Sequence, residues 1–198
     1  MLKKLVLATN NRGKVEELKV LLLDLPVEIL TLKDFPGMVM PEEDSSTFSG
    51  NAAKKAQAVA FFSGEMALAD DSGLEVEALN GRPGVWSARY ANEEGNWEAN
   101  NRKLLKELEG IPPEKRRASF KCAIAVAFPD GKTEVIEEDC PGIITERPRG
   151  EGGFGYDPLF YYEPDGLTFA QMSREEKNKV SHRGKALRRT RELLKKLI

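Results

Sequence analysis

The sequence predicts an α/β protein with a mixed β-sheet, and three observations carry this prediction. Near the N-terminus, two apolar strand-like runs flank a segment with helical spacing, which is typical of a βα unit. In the middle of the chain, residues 120–137 alternate and turn at Pro129-Asp130-Gly131-Lys132, which predicts an antiparallel hairpin. An amphipathic helical pattern then closes the chain. A hairpin inserted between βα segments favours a mixed sheet over a purely parallel one.

Length and composition place the chain among globular proteins. Its 198 residues suffice for one large domain or two small lobes, and a chain of this length buries roughly 70% of its unfolded surface. Hydrophobic residues make up 40% and charged residues 31%, so the chain can form a core. The sequence contains no internal repeat and no linker long enough to separate independent domains. The prediction is therefore a single domain over residues 1–198.

Charge, apolar patterning and cysteine use argue against several classes of protein. A net charge of −2 disfavours sequence-independent nucleic-acid binding, which normally requires a basic surface. No apolar run approaches the length of a membrane span, and the N-terminus lacks the three-part pattern of a signal peptide. Cys122 and Cys140 form no metal-ligand pair and indicate a reducing compartment. We therefore expect a cytoplasmic protein without nucleic-acid or membrane partners.

The first elements of the chain form a candidate phosphate site. Leu5–Thr9 is predicted as a buried strand, residues 10–14 as a polar turn, and the helical spacing that follows ends at Pro26. Val27–Leu30 then provides a second strand. The N-terminus of a helix offers free N–H groups and binds phosphate readily. Lys14 opposes the dipole of its own helix, so an anion in front of it is one interpretation, and a solvated surface lysine is the other.

An acidic loop and a second helix follow. Residues 34–46 are rich in proline, glycine and acidic side chains, and an acidic run of this kind is usually solvated surface. Thr47–Phe62 has the apolar spacing of a helix, and Gly64 ends the pattern. Lys54 and Lys55 project from the middle of this predicted helix.

The stretch from Ala69 to Leu74, with the sequence Ala-Asp-Asp-Ser-Gly-Leu, is the candidate metal site. Met66–Ala69 is predicted as one short strand and Leu74–Leu79 as another, with Asp70 and Asp71 at the strand end between them. Carboxylates suit Mg²⁺, which prefers oxygen ligands and keeps several waters and substrate phosphates in its shell. An ordinary Asp-Ser-Gly turn explains the same residues, and the spacing alone leaves both interpretations open.

The second half of the chain adds a helix and three strands before its glycine-rich loop. Asn80-Gly81 predicts a tight turn ahead of them. The predicted elements are a helix over Trp97–Leu108, strands over Phe120–Phe128 and Thr133–Glu137, and a short strand near Ile143-Ile144.

The most glycine-dense stretch of the chain surrounds Phe154 and Tyr156. Glycines there allow a ligand to approach the backbone closely, and the two rings could face a nucleobase or simply pack within the turn. Ser173 begins a short helix with a capping box. His182, the only histidine, and Arg183 stand at the start of the C-terminal helix, where cations oppose the dipole and indicate an acceptor or anion nearby. A lone histidine is otherwise more often structural or solvated, and that interpretation stays open.

In this combination the chain resembles the inosine triphosphate pyrophosphatase family, enzymes that clear non-standard purine nucleoside triphosphates. The resemblance extends from near residue 5 to near residue 185, and its motifs occur in the family's order. Each motif is weak alone, and together they are specific. The motifs are Ala8-Thr9-Asn10 with Gly13-Lys14, Ala69-Asp70-Asp71-Ser72-Gly73-Leu74, Pro83-Gly84 with Ser87-Ala88-Arg89-Tyr90, Gly153-Phe154-Gly155-Tyr156-Asp157-Pro158, and Glu176-Lys177 with Ser181-His182-Arg183.

The resemblance implies an elongated α/β fold, with a long mixed β-sheet flanked by helices in two lobes and the active-site cleft between them. It also implies a homodimer and a Mg²⁺ requirement. The expected reaction converts ITP, dITP or XTP and water to the nucleoside monophosphate and pyrophosphate. The chain departs from many relatives at Gly50, where they carry a glutamate. If that glutamate assists the metal, its role falls here to Glu42 or Glu43.

By resemblance, each candidate residue receives a role. Asp71 is expected to bind the metal and to act as the general base that activates water at the α-phosphorus, with Lys14 and Lys55 as further catalytic residues. Glu42 and Asp70 are the other expected metal ligands. The expected substrate-binding residues are Thr9, Asn10, Asn11, Arg12, Gly13, Lys14, Ser72, Phe154, Gly155, Tyr156, Asp157, Lys177, His182 and Arg183.

Within that set, the resemblance separates phosphate contacts from base contacts. The loop from Thr9 to Lys14, with Lys55 and Lys177, would hold the triphosphate. Phe154 would stack on the base, with Tyr156 and Asp157 shaping the pocket. His182 and Arg183 would donate to the 6-oxo group of hypoxanthine or xanthine. Adenine presents an amino donor at that position, which would leave these donors unpaired and so allow strong discrimination.

Two alternative functions remain from the sequence. One is a pyrophosphatase for modified pyrimidine triphosphates, which the same reaction machinery would serve. The other is a nucleotide-sensing module that binds without turnover. The acidic residues Glu42, Asp70 and Asp71 argue against the second, since a protein that only binds a triphosphate gains little from additional carboxylates.

Overall fold

The computed structural model describes residues 2–198, apart from the side chain of Arg12, and its strands form one mixed β-sheet. Within that range the strands are β1 Lys3–Leu7, β2 Val27–Thr31, β3 Met66–Val76, β4 Pro83–Gly84, β5 Arg117–Ala127, β6 Thr133–Ile144, β7 Phe160–Tyr162 and β8 Leu167–Thr168. The sheet order is β2-β1-β3-β5-β6-β7-β8, and β4 pairs with β3. β1 runs parallel to β2 and β3, whereas β7 pairs antiparallel with β6 and β8. The predicted mixed sheet is therefore confirmed.

Five α-helices accompany the sheet among the described residues. They are α1 Arg12–Leu22, α2 Phe48–Ser63, α3 Trp97–Glu107, α4 Arg174–Val180 and α5 His182–Leu197. The ends of α2 follow local chemistry, because the Thr47 hydroxyl accepts from the backbone N–H of Gly50 at 3.1 Å and Gly64 ends the helix with a left-handed φ of 72°. The capping box at Ser173 begins α4 as predicted. None of these helices is both long and apolar enough to cross a membrane.

The chain divides into two compact units, and the first contains the parallel part of the sheet. This unit comprises the described residues up to Asp71, together with Cys122–Glu137 and Ala186–Ile198. Its core is aliphatic: α1 and α5 bury leucine side chains against β1, β3 and β5. The main members are Leu5, Leu7, Leu18, Leu22, Leu68, Ile124, Val126, Leu187 and Leu194. Each fully buried side chain of this kind stabilises the fold by about 1.5–3 kcal/mol.

The second unit, Ser72–Lys121 and Glu138–Lys185, has a core rich in aromatic rings. Phe120 and Phe160 have ring centroids 4.5 Å apart, and Phe160 and Phe169 have theirs 4.8 Å apart. Leu104 and Leu108 at the C-terminal end of α3 are fully buried in this core, which fixes the helix within the unit. The assignment of residues 1–198 to a single domain stays a prediction.

The sequence predicted two strands separated by the Asp70-Asp71 pair, and this prediction is wrong. β3 is one continuous strand that passes through both aspartates and ends at Val76, followed by a 3₁₀ turn over Glu77–Leu79. Both ends of β3 are held by neighbours, because residues 66–68 pair with β1 and Leu74 pairs with Gly84 of β4. Sheet pairing therefore overrides the turn preference of Asp-Ser-Gly.

The predicted break in β6 is also wrong, because Thr133–Ile144 is a single strand that continues through Pro141-Gly142. A side chain at Gly142 would meet the Phe160 ring and the Tyr161 carbonyl oxygen, each at 2.6 Å. The glycine thus marks a close approach of β7 rather than a strand end.

Candidate active site

The two central aspartates lie side by side on β3 and have different partners. Successive side chains of a strand point to opposite faces of the sheet, so the strand itself separates the pair. The Asp70 carboxylate is 3% exposed and forms an ion pair with Lys14, with 2.8 Å between Nζ and Oδ2. Asp71 is 8% exposed and accepts a hydrogen bond from the side-chain amide of Asn51 at 3.0 Å. Both aspartates are thus buried parts of a polar cluster, and neither belongs to a surface turn.

Asn51 on α2 connects Asp71 to the acidic loop. Its amide nitrogen donates to Asp71, and its amide oxygen accepts from the backbone N–H of Ser45 at 2.9 Å. The side chain is fully buried, although an asparagine in a helix usually faces solvent. Asn51 was not among the predicted site residues. The signal in the sequence is a polar residue three positions after Phe48, on the apolar face of α2.

Lys55, one turn after Asn51, supplies the buried positive charge of the cluster. Its ammonium group donates to Glu43 Oε1 at 2.6 Å and to the backbone carbonyl of Asp70 at 2.7 Å. Of the two glutamates proposed as a replacement for the missing residue at position 50, Glu43 therefore enters the cluster. Glu42 lies on the exposed side of the loop.

Position 50 itself has no space for a larger side chain in this chain. A Cβ atom on Gly50 would lie 2.1 Å from Ser45 Oγ and 2.9 Å from Ser45 Cβ. A glutamate there would require Ser45 to move, and Ser45 is held through its backbone N–H by Asn51. The conformation of this loop is therefore compatible with glycine at position 50.

The environment of Asp71 favours a carboxylate that can accept a proton. Burial raises the pKa of Asp71 above its ordinary value, while the positive charge of Lys55 and the hydrogen bond from Asn51 act to lower it, and the nearby charge of Glu43 raises it. A general base works best when its pKa lies closer to the working pH than that of a solvated aspartate. Burial therefore moves the pKa of Asp71 in the direction that a general base needs, and its catalytic role stays a prediction.

The loop before α1 presents backbone and side-chain donors to solvent. Asn11 caps the helix, since its Oδ1 accepts from the backbone N–H of Lys14 at 3.1 Å, and its own N–H donates to the Thr9 hydroxyl at 3.2 Å. Asn10, Asn11 and Gly13 are exposed, and α1 has no acidic residue in its first turn. The predicted phosphate loop is therefore an accessible helix N-terminus, with the Lys14 ammonium directed at Asp70.

The metal ligands predicted from the sequence do not form a ready-made group. Among the described residues, no cluster of three or more histidine, cysteine, aspartate or glutamate side chains could hold a metal ion. Mg²⁺ does not need such a cluster, because it is usually held by one or two carboxylates with waters and substrate phosphates. Asp71 and the nearby Glu43 offer two carboxylates for that kind of site. Glu43 is half-buried and pairs with Lys55, as Asp70 pairs with Lys14, and Glu42 is exposed.

The second unit carries the predicted base-recognition loop. Asp157, which is buried, accepts from the backbone N–H of Phe154 at 2.9 Å and pairs closely with the Lys177 ammonium. That ammonium lies 4.5 Å from the centroid of the Phe154 ring, a cation–π contact. The Phe154 side chain is 68% exposed. Phe154 is therefore an exposed ring, whose backbone N–H is held by Asp157 and whose ring contacts Lys177.

The remaining predicted residues have the following surroundings. Tyr156 is buried and donates to the Ser87 carbonyl at 2.9 Å, and burial raises its pKa. The His182 ring stacks on Phe120 with centroids 4.7 Å apart, and it is mostly buried. Arg183 and Ser72 are half-buried. Lys177, predicted as a triphosphate ligand, instead contacts the loop of Phe154 and Asp157 in this structure.

The mixed sheet and the carboxylate–lysine cluster define an α/β protein with a polar site built around β3. A sequence profile of the Ham1 family matches residues 5–193. The chain therefore belongs to the Ham1 family. The motifs that suggested the resemblance lie within the matched range, and the predicted family relationship is confirmed.

Individual relatives agree with this assignment over nearly full length. A protein of Desulforamulus reducens named dITP/XTP pyrophosphatase is 54% identical over 194 residues, covering 98% of this chain and 96% of the relative. A protein of the same name from Geobacter sulfurreducens is 52% identical over 184 residues, covering 93% and 92%. These similarities confirm the prediction that the chain is an enzyme of the hydrolase class.

Solved structures confirm the fold. The structure of a HAM1 protein from Coxiella burnetii matches with a TM-score of 0.93 and 38% identity, covering 98% of this chain and all of that one. The Ham1 protein of Staphylococcus aureus matches with a TM-score of 0.92 and 41% identity, covering 99% of this chain and all of that one. A long mixed sheet flanked by helices is therefore the fold of this chain.

Proposed function

We propose that this protein hydrolyses the non-standard purine nucleoside triphosphates ITP, dITP and XTP to the monophosphate and pyrophosphate, and so removes them from the nucleotide pool. The observation that carries the proposal is the buried cluster in which Asp71, with its raised pKa, lies among Asn51, Lys55 and Glu43. The relatives named dITP/XTP pyrophosphatase supply the substrate class.

Attack at the α-phosphorus requires an oriented water, charge neutralisation and a stabilised pyrophosphate leaving group. We propose that Asp71 orients the water and accepts its proton, because burial raises the pKa of its carboxyl group and the Asn51 amide fixes its orientation. Asn51 holds the Asp71 carboxylate in place through that bond. The proton therefore moves from water to an oxygen of Asp71.

Two lysines would neutralise phosphate charge in this proposal. Lys14 lies at the exposed N-terminus of α1, where free N–H groups and the helix dipole also attract an anion. Lys55 is buried and linked to Glu43 and to the Asp70 backbone, so its charge is fixed in position. A charge that is already oriented needs no reorganisation when the transition state forms.

A Mg²⁺ requirement belongs to the same proposal, with Asp71 and Glu43 as the side chains that would hold the ion. When bound, the ion would neutralise phosphate charge and make water more acidic. Asp70 would act mainly through its ion pair, which keeps the Lys14 ammonium directed at the cluster.

Base recognition would belong to the second unit. The exposed face of Phe154 is available for stacking on a purine, and Asp157 and Lys177 fix its position. His182 and Arg183 are the donors proposed for the 6-oxo group. An amino group in that place, as in adenine, would leave both donors without an acceptor, which can discriminate strongly.

The test is pyrophosphate release from ITP, dITP, XTP, GTP, ATP and modified pyrimidine triphosphates, with Mg²⁺ and with EDTA. We expect turnover of ITP, dITP and XTP to exceed that of ATP by roughly a hundredfold or more, and to stop in EDTA. Equal turnover of ATP would refute the specificity, and release of orthophosphate alone would refute the reaction. Faster turnover of the pyrimidines would favour the alternative pyrophosphatase, and nucleotide binding without turnover would favour the sensing module.

The homodimer and the cytoplasmic location expected from the sequence stay predictions. Light scattering on the purified protein tests the first. A mass of about twice the 22.0 kDa of the chain is expected, and a monomer mass at all concentrations would contradict it.

A further inference from the structure

Two side chains on α3 contact the loop that carries Phe154. Trp97 and Asn101 are four residues apart, which places them one above the other on the same helix face. Asn101 Nδ2 donates to the backbone carbonyl of Gly155 at 2.9 Å. The Trp97 ring meets the Tyr156 ring edge to face, with centroids 5.8 Å apart. We call residues 153–157 the base loop, and Trp97 with Asn101 the α3 platform.

The contact between Trp97 and the base loop extends to the backbone. A methyl group on Gly155 would lie 3.6–3.8 Å from atoms of the Trp97 ring, which is ordinary van der Waals contact. The indole therefore covers the backbone at the same residue whose carbonyl Asn101 holds. Two independent interactions, one apolar and one polar, thus converge on Gly155.

The base loop needs such external support because its own conformation is glycine-dependent. Gly153 and Gly155 have left-handed φ angles of 72° and 67°, and glycine loses more conformational entropy on ordering than other residues. Within the loop, Asp157 bonds Phe154 twice: its carboxylate accepts from the Phe154 N–H at 2.9 Å, and its N–H donates to the Phe154 carbonyl at 3.2 Å. Gly155, the residue after Phe154, is held from α3.

The helix that carries the platform is itself firmly placed. Its N-cap Asn96 accepts from the backbone N–H of Ala99 at 3.0 Å, and Leu104 is fully buried in the second core. At the C-terminal end, Arg116 donates to the Leu108 carbonyl at 2.9 Å, where a cation also matches the helix dipole. A rigid element of this kind can hold a flexible loop in one geometry.

We propose that the α3 platform pre-organises the base loop for nucleobase binding, so that Trp97 and Asn101 are positioning residues for Phe154. The inference rests on the proposed function, in which Phe154 stacks on the purine, and it adds the residues that set the position of that ring. Neither platform residue touches the substrate in this account. Ordering the loop in advance lowers the entropy lost on binding and therefore lowers KM.

The first experiment is Asn101→Ala, assayed for ITP hydrolysis. Asn101 Oδ1 has no hydrogen-bond partner among the described residues. The substitution therefore removes the hydrogen bond from Nδ2 to the Gly155 carbonyl and breaks no bond to Oδ1. We expect KM for ITP to rise about threefold to tenfold, the effect of one positioning hydrogen bond, while kcat stays within about twofold. Asn101→Asp, which keeps the side-chain shape and loses the donor, should raise KM at least as much.

Two controls distinguish positioning from general loss of structure. Arg102→Ala removes the exposed Arg102–Glu98 ion pair from the neighbouring position of α3, and KM should stay at the wild-type value. Inhibition by IMP should weaken in Asn101→Ala by the same factor as KM rises. Inhibition by pyrophosphate, which has no base, should not change.

Fluorescence gives a readout that needs no turnover. The chain has two tryptophans, so a Trp86→Phe background leaves Trp97 as the reporter of the base loop. We expect Asn101→Ala to shift Trp97 emission to longer wavelength, because a looser loop admits water to the indole. IMP should reverse part of this shift.

The outcomes separate this inference from the proposed function. Wild-type protein that releases no pyrophosphate from ITP would refute the function, and the platform is then judged by IMP binding and Trp97 emission alone. An active wild type with unchanged KM, IMP affinity and Trp97 emission in both Asn101 variants would overturn the platform and leave the function standing. A KM effect matched by equal weakening of pyrophosphate inhibition would also overturn it.

Discussion

Asp71 in the first unit and Asp157 in the second are both buried aspartates, and burial raises the pKa of each. Their partners differ. Asp71 accepts from a neutral amide, whereas Asp157 pairs directly with an ammonium group and also holds a backbone N–H. The ion pair of Asp157 with Lys177 joins the base loop to α4. The neutral amide of Asn51 orients Asp71, and the Lys55 ammonium acts on it only as a nearby charge. We therefore propose a chemical role for Asp71 and a structural role for Asp157.

The largest expected effect of a substitution is at Asp71. Asp71→Asn removes the proton acceptor and keeps the size of the side chain, so kcat for ITP should fall roughly 10²–10⁴-fold, with KM changed only a few-fold. Steady-state kinetics with Mg²⁺ measures both constants. Asp44→Asn, at an exposed aspartate paired with Lys54, is the matched control and should retain wild-type rates. Near-normal turnover in Asp71→Asn would remove the general-base assignment.

Asp157→Ala tests the other half of the comparison. It removes the acceptor for the Phe154 N–H and the partner of Lys177, so the base loop should lose its geometry. KM for ITP should rise about tenfold to a hundredfold, the effect of a hydrogen bond to a charged group, and kcat should fall much less than in Asp71→Asn. Asp165→Ala, at an exposed aspartate of the same unit, is the control. If kcat falls as far as in the Asp71 variant with KM unchanged, the division of roles is wrong.

Asn51→Ala tests whether Asn51 influences the pKa of Asp71. The hydrogen bond from Asn51 is one of the interactions that lower the pKa of Asp71, so its removal should raise that pKa further. Because the base must be ionised, the acid limb of the kcat profile should move to higher pH. A pH–rate profile of wild type and variant measures the shift. An unchanged or lower position of the limb would show that Asn51 does not act on the catalytic base.

The smallest expected effect is on stability. A carboxyl group whose pKa is raised in the folded state stabilises the fold below its unfolded pKa, and this contribution is lost as pH rises through the folded pKa. Ionised Asp71 therefore costs stability at neutral pH, and Asp71→Asn should raise Tm there but not at pH 3. Thermal unfolding at several pH values gives the comparison. A lower Tm for Asp71→Asn at neutral pH would show that the ionised carboxylate is net stabilising.

Local sequence signals predicted the helices better than the long strands. Thr47 and Gly64 mark the ends of α2 through capping chemistry that acts within a few residues. The continuity of β3 depends on pairing with β1 and β4, which are distant in sequence and leave no local signal at Asp-Asp-Ser-Gly. From the sequence, Gly142 predicts the end of a strand. In the structure it lies within β6, where the absence of a side chain allows β7 to approach closely. Tertiary pairing decided both cases.

The same distinction applies to the candidate site. Residue types at Lys14, Asp71 and Phe154 indicated charge and stacking chemistry. The structure shows Lys14 paired with Asp70, Asp71 buried and Phe154 exposed, and their roles stay predictions. The sequence could not predict the role of Asn51. Its hydrogen-bond partner Asp71 lies on β3 and comes next to α2 only in the folded protein. The sequence could not choose Glu43 over Glu42 either, since loop conformation decides which carboxylate turns toward Lys55.

Hydrolysis of ITP in ¹⁸O-labelled water tests the central claim, that Asp71 activates water for attack at the α-phosphorus. With Mg²⁺ and wild-type protein, mass spectrometry of the products should find the label in IMP and none in pyrophosphate, and Asp71→Asn should show almost no product in the same time. Label in pyrophosphate would place the attack at the β-phosphorus, and release of orthophosphate would place it at the γ-phosphorus. Either result would contradict the account.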